Sequence, residues 1–172
     1  VKVINLFAGP GCGKSTTAAG LFFLMKHEGY RVELVTEYAK DITWADRCKE
    51  LNDQLYITAK QNHRQFLLRD KVDYCITDSP LLICLVYARM MPSSFAPLVK
   101  DLFQEYDNLA VTLKRVKPYV VFGRTQTEEQ ARELDRQIGH LVDSCVSPDK
   151  IMETDGDFRA AENIFTWIKE RE

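Results

Sequence analysis

Residues 2–16 read Lys2-Val3-Ile4-Asn5-Leu6-Phe7-Ala8-Gly9-Pro10-Gly11-Cys12-Gly13-Lys14-Ser15-Thr16, an apolar run that empties into a glycine-rich turn. From Ala8 to Ser15 the turn fits the phosphate-loop pattern Gly-x-x-x-x-Gly-Lys-Ser/Thr, with Ala8 in place of the leading glycine. Average residue usage makes a chance match on the order of 1% for a chain this long. The chemistry asks for these residue types. Glycines let the backbone curl so that successive N–H groups face phosphate oxygens at the positive end of the following helix. Gly9, Gly11, Cys12, Gly13, Lys14, Ser15 and Thr16 are therefore the expected nucleotide contacts. Lys14 is placed to reach the β- and γ-phosphates, and the Ser15 hydroxyl to ligate Mg²⁺. ATP with Mg²⁺ is the expected cofactor pair. Cys12 is read as a small filler, with a redox role as the other reading because a helix N-terminus lowers thiol pKa.

Working outward, short apolar runs alternate with longer segments of helical period, the pattern of a parallel α/β sheet. Strands are expected at 2–7, 31–36, 73–77, 109–113 and 150–153, each nearly continuous in apolar character. With a strand before the phosphate loop and an acid ending the third strand, the expected fold is a P-loop NTPase three-layer sandwich. Its five-stranded parallel sheet should run in the order 2-3-1-4-5. Ala18, Leu21, Phe22 and Met25 predict a helix that Gly29 stops. From about 51 to 69, Leu51, Leu55, Ala59 and Phe66 are read as the buried stripe of a helix. Gln54, Thr58, Gln61 and Gln65 form a polar stripe beside it, facing a cleft or solvent. A capping box, Thr127-Glu128-Glu129-Gln130, opens a helix near 128–145 with core positions Ala131, Leu134, Ile138 and Leu141. A last helix near 157–170 carries Ala160, Ile164, Trp167 and Ile168.

The 172 residues suit one domain that buries about 70% of its unfolded surface. No repeat or linker divides the chain. A net charge of −2 excludes the strongly basic footprint of a dedicated nucleic-acid binder, though local basic patches remain open. Five scattered cysteines without a Cys-x-x-Cys pair argue for a reducing compartment and against a structural zinc site. No apolar run approaches the length of a membrane span. The apolar start is too short for a signal sequence, so a cytoplasmic protein is expected.

Chemistry in open α/β sheets sits beyond the carboxyl ends of the strands. Two acids fall there. Asp78, after Tyr74 to Thr77, is read as the acid that holds Mg²⁺ or accepts a hydroxyl proton, or else as a helix N-cap. Glu37, after the second strand, suits a general base, or else a solvated first-turn carboxylate, and Asp41 is a weaker candidate. Arg124, with Arg132 and Arg136 on the next helix, could form a lid over roughly 115–140 that stabilises transferring phosphate. Glu128, Glu129 and Asp135 could equally pair with those arginines. The turn Glu153 to Asp157 could border an adenine.

A GTPase switch would need Asn-Lys-x-Asp and Asp-x-x-Gly, and neither is present. A motor or clamp-loader ATPase usually adds a helical domain and a trans-acting arginine, for which the chain is short. A non-catalytic nucleotide-binding module is disfavoured by intact Lys14, Ser15 and Asp78.

The runs AGPGCGKSTTAAGL, VTEYAK at 35–40, Gln54-Leu-Tyr-Ile with Gln61, ITDSPLL at 76–82 and GRTQTEEQAREL resemble phage-encoded P-loop kinases. These are related to ribosylnicotinamide kinases and, more distantly, deoxynucleoside kinases, and include kinases of 5-hydroxymethyluracil in DNA. The resemblance spans nearly the whole chain. It implies a bacteriophage ATP-dependent kinase acting in the host cytoplasm on an alcohol acceptor. Nucleotide phosphates would lie at Gly11 to Thr16, Mg²⁺ near Ser15 and Asp78, catalysis with Asp78 or Glu37, and lid contacts at Arg124. The acceptor it favours is the hydroxymethyl group of that DNA base (thymidine hypermodification), with a free nucleoside or ribosylnicotinamide as the alternative. Gln61 and Trp44 stand loosely where deoxynucleoside kinases hold a base. The spacing from Glu37 to Trp44 is longer, and Ser79-Pro80 replaces a frequent arginine. Arg47, Lys49, Arg64, Arg69, Arg89, Lys114, Arg115 and Lys117 are the residues that could line a nucleic-acid groove.

Overall fold

The computed structural model describes residues 1–120 and 126–172. Strand β1 (Lys2–Phe7) lies at the centre of a five-stranded sheet and pairs in parallel with β3 (Tyr74–Thr77) and β4 (Asp107–Lys114). Outside them lie β2 (Val32–Val35) beside β3 and β5 (Ile151–Asp155) beside β4, giving the order β2-β3-β1-β4-β5. This is the expected topology. Register sets the functional edge: Thr77 pairs with both Asn5 and Val35. Leaving the sheet from those positions, the three chains carry Glu37, Asp78 and the phosphate loop out along one carboxyl edge.

Residues alternate across β1. Ile4 and Leu6 enter the core on one face, and Val3 and Phe7 the core on the other. Helices α1 (Lys14–His27) and α7 (Ala160–Lys169) cover the first face through Ala18, Leu21, Met25, Ala160, Ile164 and Ile168. Helices α5 (Phe95–Gln104) and α6 (Glu128–Cys145) cover the second through Phe95, Val99, Phe103, Ile138 and Val142. Each of these side chains other than the alanines contributes about 1.5–3 kcal/mol by leaving water, so the loop-bearing β1 is held between two buried layers. Among the described residues no helix is long and apolar enough to cross a membrane.

β1 spans the expected residues and the other strand ends differ from expectation by at most two residues, while helix α6 keeps its capping box, Thr127 with Gln130. In α6, Val142 enters the core where Leu134 and Leu141 were expected; both of those are half-buried, as is Trp167 in α7.

The larger correction concerns α3 (Gln54–Phe66), which follows α2 (Tyr38–Trp44) and a 3-10 turn at Cys48–Asn52. Its stripes are inverted. Gln54, Thr58, Gln61 and Gln65 are buried, and Leu55 and Phe66 are 51% and 52% exposed. The inner face of α3 meets the turn after β2 and the end of β3, where the chain leaves ladder geometry and its backbone N–H and C=O groups need side-chain partners. Leu55, Ala59 and Phe66 instead line a shallow cavity of about 300 Å³ with Phe95, Leu98 and Leu102 of α5.

Candidate functional site

The turn from β1 to α1 curls through Gly11 and Gly13, whose φ angles of 80° and 98° lie in the left-handed region that side chains with a Cβ resist. Helix α1 then opens on Lys14 with no side-chain cap and no acid in its first turn. Its first N–H groups are left for an anion. Beside the loop, Gly156 approaches so closely that a Cβ there would sit 2.3 Å from the Cys12 carbonyl oxygen. The turn after β5, expected to border an adenine, thus abuts the phosphate loop itself.

Lys14 is half-buried, not solvated, and its ammonium donates to the carbonyls of Ala8 (2.7 Å) and Gly9 (3.1 Å). Burial pushes its pKa down, and the carboxylates of Glu37 and Asp78 work against that shift. The Cys12 side chain faces the core, with Sγ donating to the Leu113 carbonyl at 3.1 Å. Burial raises its thiol pKa, the opposite of what redox reactivity needs. Only its backbone is left for the loop.

Asp78 is 4% exposed. Its Oδ2 accepts from the Ser15 hydroxyl at 2.6 Å, and its Oδ1 is buried without a partner. An orphaned carboxylate oxygen beside a serine hydroxyl fits Mg²⁺, which takes one or two protein oxygens and completes its shell with phosphates and water. Among the described residues no cluster of three His, Cys, Asp or Glu side chains forms a protein-only cage.

Glu37 stands immediately before α2, half-buried. Loss of water raises its pKa, with Lys14 opposing and Asp78 adding to the rise. The weaker candidate Asp41 is engaged by Arg64. Gln61 does not present its amide to a base: it is 3% exposed and bonded to Tyr38 N, Thr36 O and Thr77 Oγ1, and Trp44 is 62% exposed.

A family profile described as an AAA domain matches residues 3–159, from β1 to the start of α7. The chain belongs to the AAA domain family. The match contains the phosphate loop and both acids. Among solved structures, deoxyadenosine kinase from M. mycoides, with products dCMP and a flexible dCDP bound, is similar in fold at TM-score 0.60 and 17% identity. That likeness covers 98% of this chain and 99% of the other. The fold is thus a P-loop NTPase of nucleoside-kinase-like architecture. No curated protein sequence matches the chain.

In this AAA domain the expected lid arginines divide. Arg124 lies outside the described residues. Arg132 bonds Glu128 at 2.8 Å and Arg136 bonds Glu133, both on the surface of α6. They therefore follow the ordinary helix-pair reading, although with Glu133 as one partner. Asp135 takes a different partner from the one expected. It accepts from Gly9 N at 2.7 Å and from Arg115 Nε at 2.8 Å, tying α6 to the phosphate loop. Arg115 is 5% exposed, and its Nη1 is buried without a partner. No sequence signal separated Asp135 from its charged neighbours, because its role follows from how α6 docks.

Of the other expected groove cations, Arg47, Arg69 and Lys114 pair with Glu50, Glu105 and Glu153. Tyr38 and Tyr56 meet edge-to-face beside Glu37, hydroxyl to hydroxyl at 2.8 Å, with Arg64 over one ring and Lys60 over the other.

Proposed function

We propose that this chain is an ATP-dependent kinase that moves a γ-phosphoryl group to a hydroxyl of a nucleic-acid component. The observation that carries the reading is the pairing of two unlike carboxylates on one edge. Asp78 has a bare oxygen beside Ser15, and Glu37 is desolvated near the Lys14 ammonium. One suits a metal–nucleotide complex and the other a proton.

In this reading Gly11 to Thr16 and the uncapped start of α1 hold the phosphates, and Lys14 leaves its carbonyl partners to meet them; Gly9, expected among these contacts, has its N–H taken by Asp135 and is left out. Ser15 and Asp78 would hold Mg²⁺, which would neutralise charge on the phosphates. Glu37 takes the acceptor's proton as the acceptor oxygen bonds to the γ-phosphorus. The bond from that phosphorus to the β–γ bridging oxygen breaks, and ADP leaves. In this single domain α6 is packed against the sheet, so the expected lid over 115–140 cannot move as one piece, and Arg124 is assigned to the transferring group.

The acceptor assigned first is the hydroxymethyl group of 5-hydroxymethyluracil in DNA. The motif resemblance supports it, as do two aromatic rings flanked by Arg64 and Lys60, a surface suited to an unstacked base. A free nucleoside is the second reading, favoured by the likeness in fold to a deoxyadenosine kinase. The test incubates the chain with γ-labelled ATP and Mg²⁺ against hydroxymethyluracil DNA, unmodified DNA, ribosylnicotinamide and a nucleoside panel. Label on the modified DNA alone supports the first reading, and label on a nucleoside the second. Label released only as inorganic phosphate contradicts the kinase reading in favour of an ATPase.

A further inference from the structure

The buried amide of Gln61 touches both chains that carry the candidate acids. Its Oε1 accepts from Tyr38 N at 3.0 Å, and its Nε2 donates to Thr36 O at 3.3 Å. These are the residues on either side of Glu37. The same Nε2 lies 3.4 Å from Thr77 Oγ1, which itself accepts from Ser79 N at 3.1 Å, so the residues on either side of Asp78 are held too. The two contacts near 3.4 Å are long and weak singly. They are made by a buried side chain whose helix is fixed at both ends: Asp53 caps Tyr56 N, and Arg64 donates to Thr36 O at 3.0 Å.

We propose that Gln61 is the positioning residue that sets the distance between Glu37 and Asp78. It touches no reacting atom. One rigid amide with a donor and an acceptor satisfies both turns at once, which an apolar residue of similar size cannot do. This explains why Gln61 is buried: a leucine here would leave Tyr38 N without its partner and Thr36 O with Arg64 alone. It also assigns the glutamine a role other than base recognition. The proposal rests on the reading of Glu37 as the proton acceptor, and it extends to Asp78 independently.

The groups facing Glu37 are Lys14 from α1, Asp78 after β3, Lys40 and Asp41 from α2, and Tyr87 from α4 (Cys84–Tyr87). A loosened turn after β2 would admit water among them and relax the carboxylate toward the ordinary glutamate range.

The experiment compares Gln61→Leu, Gln61→Glu and Gln65→Leu in steady-state transfer with the acceptor found above, alongside thermal melts. Gln65 is buried one turn further along α3, its Nε2 unpartnered. Gln61→Leu should keep its KM for ATP while kcat falls about 10²-fold, the effect of misplacing a group by about an ångström. The acid limb of its kcat–pH profile should move down. Gln61→Glu keeps the acceptor for Tyr38 N and should fall between, and Gln65→Leu should match wild type. Wild-type kcat with an unmoved acid limb in a folded Gln61→Leu overturns the proposal. Equal losses in Gln61→Leu and Gln65→Leu do so too, by marking general damage to α3. Glu37→Gln at the wild-type rate would remove the proton-acceptor reading alone. Gln61 is then read through Asp78, as a raised Mg²⁺ requirement in Gln61→Leu, and an unmoved requirement overturns it.

Discussion

The phosphate loop and helix α3 meet the same carboxyl edge of the sheet but are built on opposite rules. In the loop, residue types are dictated by a ligand: glycines for a left-handed curl, a lysine, a hydroxyl, and an uncapped helix start. The surroundings then adapt, so Asp135 of α6 takes up Gly9 N and Gly156 comes within reach of Cys12. In α3, Gln61 answers to the backbone of neighbouring turns, while Gln54 and Thr58 turn back on carbonyls of their own segment. A binding surface advertises itself in sequence. A brace for irregular backbone looks like a solvated face until its neighbours are known.

The largest break in that contrast is Lys14→Ala. We expect transfer to drop below detection with ATP as donor. Stability should change by less than about 1 kcal/mol, because two lost hydrogen bonds are offset by removing a desolvated ammonium. A labelled-ATP assay and a chemical melt check both parts.

Gly156→Ala probes the same loop from its neighbour. A Cβ 2.3 Å from Cys12 O and 2.9 Å from Lys114 O forces backbone apart. A loss of about 1–3 kcal/mol is expected, together with weaker ATP binding by titration calorimetry.

Glu37→Gln should separate stability from function. Burial raises the folded pKa of Glu37 above its unfolded value. Its contribution to stability is therefore fully present below the unfolded value and is lost as pH rises through the folded one. Melting temperatures of the variant should gain on wild type across a series from about pH 4 to pH 8. A constant difference across the series would remove the desolvated-carboxylate argument.

On α3 the effects are smaller and of opposite sign to intuition. Gln65→Leu removes a buried donor without a partner, so it should be neutral or stabilising by about 1 kcal/mol. Leu55→Ser and Phe66→Ser, on the apolar side, should stay within about 0.5 kcal/mol because both side chains are half exposed. Urea melts of the three variants would show whether the inversion of α3 holds in energy as well as in geometry.

The sheet was legible because β1, β3 and β4 are buried on both faces and so read as apolar runs, and because a phosphate loop after β1 fixes its place at the centre. Glu37 and Asp78 were legible from position, since a carboxylate just past a parallel strand must reach the functional edge. Gln61, Asp135 and Arg115 were not. Their importance lies in partners far along the chain: 16 and 23 residues from Gln61 to Thr77 and Tyr38, and 126 from Gly9 to Asp135. Hydrophobic period misled at α3 because it assumes that the inside of a helix meets apolar side chains. Here part of the inside, at Gln61, meets turns.

The division of labour between the two acids is the central claim, and single-turnover transfer across a magnesium series tests it most directly. Asp78→Asn should need more Mg²⁺ and recover in part at high concentration. Glu37→Gln should bind ATP with Mg²⁺ as wild type does while transfer slows about 10²–10⁴-fold, the usual contribution of a positioned general base. The loose transition state of phosphoryl transfer places the loss toward the lower end of that range. Near wild-type transfer by Glu37→Gln, with Asp78→Asn inactive at every magnesium concentration, would contradict the account and leave Asp78 with both roles.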